Sequence, residues 1–322
     1  MMAGRYAAAE SPLSTVLREV DEAFLRPRPE AVREAKRRAD RLIEELDRGR
    51  AWMYSVLNVY DHGSLSRGTG LRHFNDLDRL IELDPVALRT RGGRFRSARD
   101  TIRRMAKHIA KRRAGLISMG TISVRAQDHS VGIDYPGSGL RIDLVPALRL
   151  RGNFHIPEQG TGKWIQTDPV ATTARLRQAK AAAPHAGIAI RLLKGWARAR
   201  GRNAPIPSFA LETWVVDQVL SRPSALDELV GAFFSEVASA RANRRLGLGS
   251  SGRIEGAVTL IEPVSGNNLT KDLGRVHRTA LVRSSRRAVE EVAHLQALAN
   301  AGRWNTAGST GRDLFVGRRW AR

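Results

Sequence analysis

Cysteine is absent from the 322 residues. That excludes disulfides, thiolate metal sites and cysteine nucleophiles, and it fits a cytoplasmic protein. No apolar run approaches the ~18–20 residues of a membrane span, so no membrane partner is expected. The opening MMAGRYAAAESPLSTV has small residues but no apolar core, which argues against a signal peptide. Acid is scarce beside base: 54 Lys and Arg face 32 Asp and Glu, a formal charge of +22. So basic a surface suits RNA or DNA bound without sequence preference. Because the arginines are spread along the chain, replacement of other polar residues in a GC-rich genome explains the charge equally well. The 42% of hydrophobic residues allow a sizeable core, enough for one large domain or two packed lobes.

The periodicity predicts helices over 14–25 and 30–49, a strand over 55–62, and a strand over 77–83. A basic amphipathic helix is expected over 97–113, with Ala98, Ile102, Met105, Ile109 and Ala110 inward. Strand-like runs follow at 117–125, 130–135 and 139–145. From about 170 the pattern is helical: 170–182, 185–200, 208–221, 224–242 and 284–300. The 244–255 stretch reads as a flexible loop, and the Gly- and Arg-rich tail after 302 as poorly ordered. The fold class is α+β. The expected divisions are an N-terminal helical segment (1–28), a mixed-sheet core (29–157), a helical lobe (158–302) and a tail (303–322).

The stretch 63–83, GSLSRGTGLRHFNDLDRLIEL, carries the chemistry. Asp76 and Asp78, two residues apart at the start of a strand, point to one face. Aligned carboxylates suit a pair of Mg²⁺ ions, which take oxygen ligands; Mn²⁺ can substitute. The Gly63-Ser64 turn ahead of them offers N–H groups and a hydroxyl to phosphate oxygens. A two-metal site wants a third acid. Asp143, in RIDLVPAL, is preferred over Asp134, in VGIDYP, because its apolar flanks make it a strand residue. His62 and His73 flank the site but are the wrong ligand type for it. Together these features suggest a metal-dependent nucleotidyltransferase.

The pattern G-S-x-x-R-G-T-x-L-R followed by D-x-D resembles that of 2′-5′-oligoadenylate synthetases. Gly63, Ser64, Arg67, Gly68, Thr69, Leu71, Arg72, Asp76 and Asp78 carry the likeness. Asp143 with Leu144-Val145-Pro146-Ala147 resembles the third-acid motif of the bacterial cGAS/DncV-like nucleotidyltransferases. IPEQGTGKWIQTDP at 156–169 resembles that family's connection between lobes. IRLLKGWARARG at 190–201 and PSFALETWV at 207–215 resemble helices that supply a phosphate-binding Lys and Ser. IEPVSGNNLT at 261–270 resembles its late Asp-Pro…Asn segment, with Glu262 for Asp.

The resemblance implies a polymerase-β-type nucleotidyltransferase sheet with a C-terminal helical lobe and the active site in the cleft between. It implies synthesis of a cyclic oligonucleotide second messenger from ribonucleoside triphosphates, ATP among them, in anti-phage (CBASS) signalling. A messenger-activated effector would then act in the same cell. Linear 2′-5′ oligoadenylate synthesis and RNA modification of the CCA-adding or tailing kind are the alternatives. Asp76, Asp78 and Asp143 would hold two Mg²⁺ ions, and Gly63, Ser64, Arg67, Lys194 and Ser208 would bind the nucleotide. Against those roles stand the readings of Ser208 as a helix cap, of Lys194 as a snorkelling lysine beside Leu192, Leu193 and Trp196, and of Arg67 as a solvated loop charge. Trp164 and Trp196 read as core. The run RRMAKHIAKRR at 103–113 is either a solvated face or the polyanion surface.

Overall fold

The computed structural model describes residues 10–48, 54–72, 76–112, 122–135, 139–239 and 260–317. It divides into two units: Pro27–Ala174, and Met1–Arg26 with Arg175–Arg322. The expected loop at 244–255 lies outside the described residues.

The first unit is built on a seven-stranded sheet: β1 (Val56–His62), β2 (Asp76–Leu83), β3 (Ser123–Ala126), β4 (Val131–Tyr135), β5 (Leu140–Leu150), β6 (Asn153–Glu158) and β7 (Lys163–Thr167). The order is β1-β2-β5-β4-β3, with β6 paired to β5 and β7. Among the described residues, only β2 and β5 pair in parallel. Two helices supply apolar stripes to one face. In α2 (Pro29–Arg48) the stripe is Ala35, Ala39, Leu42 and Leu46, spaced about one helical turn apart; proline opens the helix, where it forfeits no intrahelical hydrogen bond. In α4 (Ala98–Arg112) it is Ile102, Met105, Ala106 and Ile109. Ala106 is buried where Ala110 was expected; Ala110 is half-buried. These stripes meet Leu77 and Ile81 of β2, Val131 and Ile133 of β4, and Ile142 and Leu144 of β5. Alternation then puts Asp76, Asp78, Leu80 and Glu82 on the opposite face of β2. A smaller cluster of Leu80, Val145, Ala147 and Phe154 occupies that face.

The segment resembling an inter-lobe connection is instead the β6–β7 hairpin, and it extends the sheet past the expected boundary at 157. Its hydrophobic alternation is weak, and Trp164 is tied by its indole N–H to the Arg96 carbonyl. Helix α5 (Pro169–Ala182) then carries the chain into the second unit.

That unit is helical. It gathers α1 (Pro12–Val20), α6 (Ala186–Arg200), α7 (Ser208–Ser221), α8 (Leu226–Ala238), α9 (Arg275–Asn300) and α10 (Trp304–Phe315). Ser11 caps α1 by accepting the Ser14 N–H, and the helix widens to π geometry over Asp21–Leu25. The core is aromatic: Trp196 packs edge-on to Phe233 and Phe234, and Trp214 to Phe233. Gly195 is needed here, because a side chain on it would strike Leu25 and the Phe315 carbonyl. The tail expected to be poorly ordered forms α10, which buries Ala307, Gly311, Leu314 and Phe315. Gly308 and Gly311 obscured that helix, yet Gly311 sits close against Val20. Helix α9 also starts nine residues before the expected 284.

Candidate active site

Strand pairing brings the three predicted acids to one place. Asp78 lies opposite Asp143 across the parallel β2–β5 pair, and Asp76 lies opposite Arg141. Directly opposed residues point to the same face, so Asp76, Asp78, Arg141 and Asp143 share it. The row through Asp78 continues to His62 on β1 and to Gly132 and Arg125 on β4 and β3.

Two glycines make room for the carboxylates. Gly63 has φ +77°, and a β-carbon on it would overlap the Asp78 carboxylate. A β-carbon on Gly132 would lie 3.1 Å from Asp143 Oδ1 and overlap the Gln127 amide. Asp143 Oδ1 is buried and accepts no hydrogen bond among the described residues. Burial first, then the charges of Asp78 and Asp76, push the Asp143 carboxyl up to about 7, with Arg141 opposing.

Asp134, the rival third acid, is spent elsewhere. It accepts from Arg141 Nε at 2.7 Å, Arg125 Nη2 at 2.6 Å and Ser123 Oγ at 3.3 Å. Burial works against the charge, but the two arginine hydrogen bonds outweigh it and hold the carboxyl below its ordinary range.

The Gly-Ser turn is a single helical turn, α3 (Gly63–Ser66), that follows β1 directly. The loop folds back on it: the Thr69 N–H donates to the Ser64 carbonyl at 2.9 Å, and Arg67 N–H to that of Gly63. Thr69 is fully buried and Arg67 half-buried rather than solvated. The Ser66 hydroxyl is buried with no hydrogen-bond partner among the described residues. Neither it, Gly132 nor Arg141 was singled out by the sequence. Strand register points to the latter two, but that register cannot be read without knowing which strands pair. His73 lies outside the described residues.

The remaining candidates belong to the helical unit. Lys194 does not snorkel: it is buried and donates to Glu212 at 3.1 Å. Ser208 is no cap: α7 begins with it, Pro207 holds the N-cap position, and the Ser208 side chain is exposed. Glu262 is buried and accepts the N–H groups of Val264 and Ser265, closing its own turn. In α4, one cation of the 103–113 run is already paired: Arg104 donates to Asp100, one turn earlier, at 2.8 Å. Arg103, Lys107 and Lys111 are exposed, and Arg113 lies outside the described residues.

Among the described residues, no three His, Asp or Glu side chains converge closely enough to hold an ion as they stand. The donor set still fits a hard divalent cation. It offers only oxygens, one is orphaned and buried, glycines clear the space, and like charges crowd there. Asp76, Asp78 and Asp143 are the residues that would hold it.

No helix among the described residues is long and apolar enough to cross a membrane. Among curated proteins, the chain is 28% identical over 232 residues to the cyclic AMP-AMP-AMP synthase of Escherichia coli MS 115-1, covering 66% of this chain and 68% of the relative. Among solved structures, it resembles Escherichia coli MS115-1 CdnC with ATP (22% identity, TM-score 0.69, 96% of this chain and 99% of that one). It also resembles CdnC of the same strain in complex with HORMA-deltaN (22%, TM-score 0.66, 95% and 97%). The Vibrio cholerae DncV cyclic AMP-GMP synthase with a nonhydrolysable GTP is more distant (14%, TM-score 0.57, 82% and 70%). These likenesses establish the expected mixed α+β fold. The model of the Second Messenger Oligonucleotide or Dinucleotide Synthetase domain matches residues 18–179, half of the chain. The chain therefore belongs to that family, and it is a nucleotidyltransferase that makes oligonucleotide or dinucleotide second messengers.

Proposed function

We propose that this synthase joins ATP into a cyclic triadenylate at Asp76, Asp78 and Asp143, using two Mg²⁺ ions that Mn²⁺ can replace. The observation that carries the site is the β2–β5 register, which sets Asp78 against Asp143 with a buried, unsatisfied oxygen. The choice of adenine and of a three-membered ring rests on the Escherichia coli relative.

Bound ions would stabilise charge on the attacking and leaving oxygens of an in-line displacement. Asp76 and Asp78 would hold the ions, which would supply the positive charge that the α-phosphate region of one triphosphate needs in order to sit beside carboxylates. Asp143 supports loss of the proton from the attacking ribose hydroxyl. The new P–O bond forms as the bond to pyrophosphate breaks, and repetition followed by ring closure gives the product. Gly63, Ser64 and Arg67 cradle the triphosphate. Lys194 and Ser208 are proposed as further nucleotide-binding residues, which for Lys194 requires exchange of Glu212 for phosphate.

The setting is cytoplasmic CBASS signalling, with the product acting on an effector. A HORMA-domain protein is proposed as a regulatory partner, on the relative's complex. The exposed cations of α4 are the proposed surface for RNA or DNA, without Arg104. Incubation with all four ribonucleoside triphosphates and Mg²⁺ or Mn²⁺, followed by mass spectrometry, tests the reading. Cyclic triadenylate and pyrophosphate are expected. Transfer only when RNA is added would overturn it.

A further inference from the structure

Arg141 occupies a place that a cation site should avoid. It lies on the same strand face as Asp143, two residues away, and in register with Asp76. An arginine cannot ligate a metal, and its charge opposes any divalent cation brought to those acids. It is also held in position. Its Nε donates to Asp134 at 2.7 Å, and Arg125 grips the other oxygen of Asp134 at 2.6 Å. The row runs Asp76, Arg141, Asp134, Ser123 across four strands, with Arg125 one row along. Two guanidiniums share one carboxylate, so one positive charge is left over beside the acids. Only Nε of Arg141 is engaged among the described residues, and a third of the side chain is exposed. The strand register sets Arg141 on the face that carries the acids, and its Nη donors make no hydrogen bond among the described residues.

A residual cation with planar donors next to three carboxylates is accounted for if an anion binds there. We propose that Arg141 is a substrate-binding residue of the synthase, donating to a phosphate of a nucleotide seated at Asp76, Asp78 and Asp143, with Asp134 as the anchor that aims it. This rests on the acid site proposed above. Guanidinium–phosphate hydrogen bonds are charge-assisted and bidentate, which suits an oxygen-rich, polyanionic substrate. Arg125 is too exposed, at 61%, to be held as tightly and serves to fix Asp134.

The test titrates a nonhydrolysable ATP analogue calorimetrically into the full chain, once with Mg²⁺ and once in EDTA. Arg141→Gln should weaken binding about tenfold wherever wild-type binding is measurable, since a hydrogen bond to a charged group is lost. Asp134→Asn keeps an acceptor for Nε but removes a negative charge, and should tighten binding about threefold. Binding within twofold of wild type for both variants would overturn the proposal, because a merely structural ion pair changes stability and not affinity. If Arg141→Gln does not fold, Arg141→Lys replaces it, with a loss of about threefold expected and unchanged affinity counting against the proposal. Asp76→Asn is run alongside. If it leaves both synthesis and the Mg²⁺-dependent gain in affinity intact, the acid site fails. If it removes both while Arg141→Gln binds like wild type, only the role of Arg141 fails.

Discussion

The buried ion pairs of the helical unit and the acid cluster of the sheet unit treat charge in opposite ways. In the helices, Arg191 is buried against Asp21 with contacts of 2.7 and 2.6 Å, and Lys194 against Glu212. Each of these buried charges has an opposite charge at hydrogen-bond distance. On the face of the sheet that carries the acids, Asp76, Asp78 and Asp143 crowd together, and Asp143 Oδ1 has no hydrogen-bond partner among the described residues. A matched pair holds a fold in one arrangement, whereas crowded like charges make the fold less stable and are retained for something that binds. The same logic separates two aspartates on neighbouring strands: Asp134 is matched by two arginines and Asp143 is not.

The largest expected effect is on catalysis. Asp76→Asn, Asp78→Asn or Asp143→Asn should each lower nucleotide transfer at least about a thousandfold, since phosphoryl transfer is accelerated chiefly by stabilising charge at the reacting oxygens. Pyrophosphate release measures this directly. Full activity in any one of them would remove that residue from the site. The contrast between the units sharpens on stability. Asp21→Ala strands a buried guanidinium and should cost about 3–5 kcal/mol in chemical unfolding. Asp143→Asn relieves repulsion and should leave the metal-free protein as stable as wild type or more so. Equal losses in both would abolish the contrast between matched and crowded charge.

Gly63→Ala comes next. The residue must adopt φ +77° while its new methyl overlaps the Asp78 carboxylate. Strain of about 1–3 kcal/mol is expected, together with a fall in synthesis of about a hundredfold as Asp78 is displaced. A normal rate would show that the turn and the acid are independent.

Asp143 also gives stability a dependence on pH. Its carboxyl is raised from 3.8 to about 7, so between those values the folded chain holds a proton that the unfolded chain releases. Stability in EDTA should therefore fall as pH rises from about 4 to 7 and then level off. Melting temperatures across that range and just above it check this. Asp143→Asn should flatten that part of the curve, and an unchanged slope would assign it to other groups.

Much of the site was legible because its signals are local. A Gly-Ser turn, two acids at i and i+2, and a third acid in an apolar strand need no tertiary knowledge. Arg141, Gly132 and Ser66 were not legible, because their meaning comes from which strands are neighbours. The sheet's β6–β7 hairpin escaped for lack of clear alternation, and α10 because glycines that permit close packing also imitate a loop. In α4 the quenching acid, Asp100, stood just outside the basic run that drew attention.

The smallest effect separates two readings of one serine. As a helix cap, Ser208 replaced by alanine would cost about 1 kcal/mol. The structure gives the cap position to Pro207, so Ser208→Ala should leave the melting temperature within about 1 °C of wild type. That removes the stability effect that would otherwise blur a binding measurement. If the exposed hydroxyl donates to the triphosphate, affinity for the ATP analogue should fall about threefold to tenfold at unchanged stability, the range of one neutral donor lost to a charged acceptor. The calorimetric titration that reports on Arg141 reports on this too. A drop in melting temperature with unchanged affinity would return Ser208 to a structural role, and with it the likeness of 207–215 to a phosphate-binding helix.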